Sequence, residues 1–288
     1  MSRPANGASM RLMWAARAVW AAVGVLAPWD TVADGRSAAV SAVLRSWGWA
    51  SWLAVMVALF VPAALSLTLV HILAPTVAVT AFFMGNPVWA FPAVVMLRVL
   101  LSRDVADVLV QGSAYGAETR FALRTPVPYL APAVLVWAVL VSTTVGGSLL
   151  LAAGNLAAGI PVTAAGALLA WKVPVRLHRL SRRWLVVVPA GLVVHDHLVL
   201  GETMMVRLNH LGAVRLEERA GDEADLTGAV PGRRVRIEMT QPDKVILSPI
   251  TMRTLGTTEA LHVTSFAVAP LRAAAAVAAA EATLSPDR

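Results

Sequence analysis

Between Tyr129 and Ala153 the chain carries no charged side chain. About 20 apolar residues, each rising about 1.5 Å along a helix, cross a bilayer core of roughly 30 Å. An uncharged run of this length predicts a membrane-spanning helix. Gly154-Asn155 turns it, and Leu156 to Trp171 returns as a second apolar run. The composition agrees with a chain that hides much of its surface from water. Hydrophobic residues make up 58% of the 288 and charged residues 14%, against about half and about a quarter in a soluble domain.

Four more apolar segments precede this pair. Met10–Trp29 follows Arg3 and contains Arg11 and Arg17. It reads as a first spanning helix, or alternatively as a helix lying in the interface, which would also suit Trp14, Trp20 and Trp29. Ala27-Pro28-Trp29-Asp30 is a poor cleavage site for a signal peptide. Asp30–Arg36, DTVADGR, reads as a turn. Ala38–Val61 is interrupted by Arg45 and belted by Trp47, Trp49 and Trp52, and Pro62 ends it. Ser66–Met84 is a third span, Gly85-Asn86-Pro87 a turn, and Val88–Leu101 a short fourth whose Arg98 can snorkel to the surface. Ser102–Pro128 is the long polar loop of the first half. The expectation is therefore about six spans.

The return run ends in Trp171–Trp184, WKVPVRLHRLSRRW, which holds Lys172, Arg176, Arg179, Arg182 and Arg183 and no acid. Lys and Arg outnumber Asp and Glu by 9 to 5 in Met1–Trp171 and by 5 to 0 in Lys172–Arg183, but by only 10 to 12 after Trp184. The excess behind the net charge of +7 thus lies beside the membrane, where anionic headgroups are its natural partner, and nucleic acid is disfavoured. An even number of spans puts both termini on one side. Every basic-rich segment falls on that side, which the positive-inside rule makes the cytoplasm of a plasma-membrane protein. The five basic side chains of the stretch are expected to contact lipid headgroups.

After Trp184 the pattern becomes short alternating runs. Trp184–Val188 and Leu192–His195 flank Pro189-Ala190-Gly191 as a hairpin. Thr203–Leu208, Ala213–Glu217, Arg234–Met239, Val245–Leu247 and Leu261–Val268 are further strands, with GDEADLTGAVPGR as a loop. Pro270 opens an Ala-rich helix too short to span a membrane. The expected architecture is a helical membrane domain over residues 1–171, a basic hinge over 172–183, and a cytoplasmic β-barrel or sandwich over 184–288, plugged by the final helix.

The phrases RWLVVVPAGLVVHDHLVL and TMMVRLNHLGAVRL are similar to the opening strands of bacterial pleckstrin-homology-like domains. ADGRSAAV (Ala33–Val40), VPAALSLTLVHILAPT (Val61–Thr76), QGSAYGAETRFALR (Gln111–Arg124) and LSRRWLVVVPAGLVVHD (Leu180–Asp196) resemble a group of uncharacterised multi-pass membrane proteins of actinobacteria. The resemblance implies architecture and location and carries over no catalytic residue. A fold of this kind suggests phosphoinositide binding by analogy only. The slightly acidic balance after Trp184 argues against it and favours protein contact.

The chemistry-bearing motifs are few. Without cysteine there is no disulfide, thiolate site or Cys nucleophile. No phosphate-binding GxxxxGK[ST], HExxH or GxSxG occurs, and no cofactor is implied. Ser113, Ser142, Thr143 and Thr144 lack a His–Asp partner pattern, and hydroxyls in membrane helices commonly bond backbone or a neighbouring helix. His195-Asp196-His197 resembles a metal triplet, but on a strand the two His share a face with Asp196 opposite, and no third ligand follows at a recognisable spacing. His71 and Arg98 form a candidate intramembrane polar site for a small-solute or lipid transporter, with no acidic residue in any span to complete a relay. In the polar loop, Tyr115, Glu118, Arg120 and Arg124 are candidates to dock on the C-terminal domain, with Glu118 reaching a hinge Arg, or to bind a partner. The resulting expectation is a non-enzymatic membrane protein whose β domain binds other membrane or cytoplasmic proteins.

Overall fold

The computed structural model describes residues 7–84, 90–219, 221–255 and 260–284. It resolves into a helical unit, Ala5–Gly112 with Pro132–His178, and a β-rich unit that takes Ser113–Ala131 together with Arg179–Arg288. The polar loop, assigned from sequence to residues 1–171, thus contributes its second half to the β-rich unit.

In the helical unit, four stretches among the described residues are long and apolar enough to cross a membrane: Met10–Ala33, Ala38–Phe60, Val127–Ala152 and Leu156–Ser181. Ala64–Thr80 and Phe91–Leu100 are shorter apolar stretches. The turn expected at Gly85-Asn86-Pro87 and the start of the fourth expected span lie outside the described residues.

Helices α1 (Gly7–Leu26) and α3 (Ala38–Phe60) lock through two tryptophans. Each indole N–H, Trp20 and Trp52, donates to the other's backbone carbonyl at 2.8 Å. Gly24 lies against the Trp52 ring and Gly48 against Trp29, leaving no room for a side chain. Arg17 donates to the Leu59 carbonyl at 3.1 Å, in the last turn of α3, between the Trp14 and Phe60 rings. A cation there complements the helix dipole. DTVADGR is mostly helix, not turn: α2 (Pro28–Ala33) starts at Pro28 after Ala27, whose φ of 41° is left-handed. Asp30 and Asp34 lie 2.9 and 3.6 Å from the Arg45 guanidinium, so the charge interrupting α3 is answered locally.

Helices α4 (Ala64–Met84), α5 (Ala90–Leu100) and α6 (Arg103–Gln111) follow. Helix α6 occupies the first part of the polar stretch Ser102–Pro128, which is therefore not all loop. Ser102 caps it, accepting from the Val105 amide, and it buries Val105, Ala106, Leu109 and Val110 on one face. Helices α7 (Val127–Ala152) and α8 (Leu156–Ser181) form a close hairpin. Gly147 faces Thr163, and Gly166 faces the backbone of Thr143 and Thr144. Small residues admit such approach. Thr143 and Thr144 donate to carbonyls one turn back, as expected of them. Most of the basic stretch is helical: α8 runs unbroken through Lys172, Arg176 and Arg179 despite Pro174, and the boundary between the two units falls within it, after His178. On this helix His178 Nδ1 lies 2.7 Å from Thr68 Oγ1 of α4.

The β-rich unit has two four-stranded sheets. The first is the antiparallel series β1 (Thr119–Ala122), β2 (Trp184–Val188), β3 (Gly191–His195) and β4 (Met204–Arg207). The second is ordered β5 (Leu211–Glu217), β7 (Arg234–Val245), β8 (Leu261–Val268) and β6 (Ala224–Asp225), β6 lying parallel to β8. Two expected strands are one, because β7 continues from Arg234 to Val245 across an irregularity in its pairing. Helix α9 (Pro249–Leu255) precedes β8. Leu185, Val187, Leu192 and Val194 from one sheet and Val235, Ile237, Phe266 and Val268 from the other form the core. The final helix, α10 (Ala273–Leu284), presents Ala273, Ala276, Val277 and Ala280 to it, a three-to-four-residue spacing that lines one helix face.

Candidate functional site

The distinctive chemistry of the β-rich unit gathers where β1, β2 and β3 run side by side. Trp184 sits opposite Ala122 on one neighbour and His195 on the other. Period-two alternation sends Phe121, Leu185 and Val194 into the core and leaves Arg120, Trp184 and His195 on the other face. The Arg120 guanidinium lies 4.9 Å over the Trp184 ring, and the His195 imidazole stacks on that ring at 5.2 Å and 21°. Thr203 Oγ1 is 3.0 Å from His195 Nδ1, and the His197 ring is 6.0 Å from that of His195.

Asp196 faces the other way. Its carboxylate accepts from the Arg183 guanidinium at 2.7 and 2.6 Å, and both side chains are 1% exposed. Arg183 also donates to the Arg124 carbonyl at 2.8 Å. Asp196 Oδ1 accepts from the Leu198 and Val199 amides and so shapes the turn after β3. The expectation that Arg183 contacts lipid headgroups is therefore corrected: it is a buried, doubly bonded partner. Lys172, Arg176, Arg179 and Arg182 are exposed.

Burial holds the imidazole of His195 below its ordinary value, aided by the Arg182 and Arg120 charges and opposed by Asp196. His197 is likewise lowered by burial first, then by His195, Arg182 and Arg179, again against Asp196. The Arg182 charge thus acts on both histidines, that of Arg120 on His195 and that of Arg179 on His197. Other acids of the unit gather elsewhere. Arg236 lies within 3.4 Å of Asp222, Glu223 and Glu238, and Arg234 lies 3.8 Å from Asp225.

The polar loop docks through its backbone as strand β1. Glu118 is engaged within the loop itself: it accepts from the Tyr115 amide at 2.6 Å and from Arg120 at 2.7 Å. Arg124 donates to the carbonyls of Pro231 and Arg233, and its own amide donates to Ala269. Tyr115 is 85% exposed at the loop tip.

His71 and Arg98 are both exposed on their helices, and neither lines either of two cavities in the helical unit. One cavity, about 30 Å³, is lined by Trp29, Ser51, Thr76, Thr80 and apolar neighbours. The other, about 40 Å³, is lined by apolar residues such as Leu26, Val77 and Met96. Each is of a size to hold only a few waters. Among the described residues no three His, Asp or Glu side chains converge to hold a metal.

Sequence reading named His195, Asp196 and His197 but missed Trp184, Thr203 and His178. The signal for Trp184 was available: counting outward from Pro189-Ala190-Gly191 sets it opposite His195. Comparison with protein-family models, with curated proteins and with solved structures finds no match.

Proposed function

We propose that this chain is a multi-pass integral membrane protein whose β-rich unit is a cytoplasmic, non-enzymatic binding and assembly module. The observation that carries this reading is the pairing of β1 with β2. β1 precedes α7 in the chain and β2 follows α8, so the two strands flank the hairpin of candidate spans. Strands that share hydrogen bonds share one side of a membrane, and a hairpin that leaves and returns to that side crosses an even number of times.

The charges support the cytoplasm as that side. The flanks carry Arg120, Arg124, Lys172, Arg176, Arg179 and Arg182, while the turn Ala153–Asn155 carries none. Four spans or six give the same sidedness. Two small sheets closed by a terminal helix also suit the pleckstrin-homology-like reading. The Tyr115 loop, with Tyr115 85% exposed, is the surface offered to a partner. A transporter reading draws no support from His71 and Arg98, which line neither of those two cavities.

The chain has no cysteine, so single cysteines report sidedness directly. Tyr115→Cys and Glu202→Cys are expected to react with an impermeant maleimide only in inverted membrane vesicles, and Asn155→Cys only in intact cells. Labelling of Tyr115→Cys and Asn155→Cys from the same side would overturn the topology. For the assembly role, the partner set that co-purifies with the full chain in mild detergent should lose members on deletion of Trp184–Arg288. An unchanged set would refute it.

A further inference from the structure

We propose that His195 and His197, with Arg179 and Arg182, bind a dianionic phosphate group, such as a phosphomonoester lipid headgroup or free phosphate carries. The inference rests on the β-rich unit being a binding module beside the membrane, and it names what that module binds.

The site is held in place before any ligand arrives. His195 is fixed by stacking on Trp184 and by its Nδ1 contact with Thr203, which leaves Nε2 outside that bond. His197 stands 6.0 Å away, ring to ring, a separation that lets one tetrahedral oxyanion meet both imidazoles. Arg179 and Arg182, in and just after the last turn of α8, are exposed. An arginine fork matches phosphate oxygens in pairs.

The surrounding charges favour an anion. From α8 come Arg179 and Arg182, and from β1 comes Arg120, with Glu118 bound to it. After β3, Asp196 is committed to Arg183 and to backbone amides. Glu202, next in the chain to Thr203, is an exposed acid on this side. Most other acids of the unit lie around Arg234 and Arg236.

The same neighbours keep both imidazoles neutral in the empty site, since burial and the arginine charges disfavour protonation. A dianion seated among them reverses that balance, and each histidine that ionises takes its proton from solvent. Affinity then rises up to about tenfold per pH unit for each proton taken up. A phosphate group takes up a proton of its own in the same range, which offsets one proton's worth of that gain, so its affinity rises less steeply than that of a permanent dianion. Sulfate stays doubly charged, and its binding keeps rising as pH falls.

The test uses full-length protein in neutral detergent, with melting followed against phosphate or sulfate at constant ionic strength set by chloride. Both oxyanions are expected to stabilise the protein above chloride. The gain on lowering pH should be steeper for sulfate than for phosphate, and the effect should be lost in His195→Asn/His197→Asn and weakened in the exposed variant Arg182→Gln. Stabilisation no greater than chloride, or equal in wild type and both variants, overturns the site.

A second arm identifies the source. Native mass spectrometry counts lipids retained from phosphatidylcholine nanodiscs that hold equal amounts of phosphatidic acid and phosphatidylglycerol. An excess of phosphatidic acid that falls in the variants assigns a headgroup. Equal retention beside a positive ion result assigns free phosphate, so the site stands while its membrane-facing placement falls.

Discussion

Replacing Arg183 with methionine keeps much of the side-chain volume and removes the charge. It leaves the Asp196 carboxylate, 1% exposed, without its two guanidinium bonds at 2.7 and 2.6 Å. Removing one partner of a buried ion pair costs about 3–5 kcal/mol, and the lost bond to the Arg124 carbonyl falls within that range. At roughly 4 °C per kcal/mol for a unit of this size, melting should fall by about 12–20 °C. Asp196→Asn should cost somewhat less, because Asn can still accept from the Leu198 and Val199 amides. The double variant Arg183→Met/Asp196→Asn buries no lone charge, so it should be milder than the sum of the single changes by about 1–3 kcal/mol. The assay is heating of the full chain in detergent with a brief protease pulse, cleavage within 184–284 being read by mass spectrometry. A fall of less than about 4 °C for Arg183→Met, or strict additivity in the double variant, would refute the argument that the pair is a buried, mutually dependent unit.

Three other outcomes follow from the geometry. Gly48→Leu drives a side chain into the Trp29 ring and should sharply lower the melting temperature of the helical unit. Gly146→Ala, which meets nothing within 4 Å, should be tolerated in the same assay. Phe121→Ala empties the core contribution of β1 and should cost about 3–5 kcal/mol, with faster hydrogen exchange at the β2 amides that pair with it. The sign of the pH effect is also fixed. His195 and His197 are lowered from 6.5 in the fold, so the unfolded chain binds more protons below that value. Their contribution is fully present above pH 6.5 and is lost as pH falls toward the folded values. Melting in chloride should decline over that window, and less steeply in His195→Asn/His197→Asn; a steeper decline in the variant would contradict the assignment.

Much of the architecture was legible because it rests on local pattern. The uncharged run became α7, Pro62 separated α3 from α4, and Pro189-Ala190-Gly191 turned the β2–β3 hairpin. What escaped depends on distant partners. Nothing in Thr119–Ala122 announces a strand, since its ladder is supplied by Trp184–Val187. The run of basic residues reads as a hinge, yet α8 continues to Ser181, because an internal proline such as Pro174 can be absorbed as a kink without ending the helix. Arg183 and Arg182 are indistinguishable in sequence, and only strand geometry turns one inward to Asp196. The count of 10 bases against 12 acids after Trp184 left out Arg120, Arg179 and Arg182, which precede that point in the chain yet belong to the β-rich unit. The acids crowd around Arg234 and Arg236, and the His195–His197 side keeps its positive charge.

Strand β1 also ties synthesis of the protein to its placement. Arg183 and Arg124 meet across 59 residues of chain, and the intervening hairpin is made after β1 has left the ribosome and before β2 has. If that hairpin spans the bilayer, only its correct insertion returns β2 to the compartment where β1 waits. A hairpin threaded the wrong way leaves β2 with a bare edge and the second half of the chain without its first strand. Such a product presents unpaired backbone to chaperones and proteases, so completion of the first sheet serves as a quality checkpoint on membrane insertion.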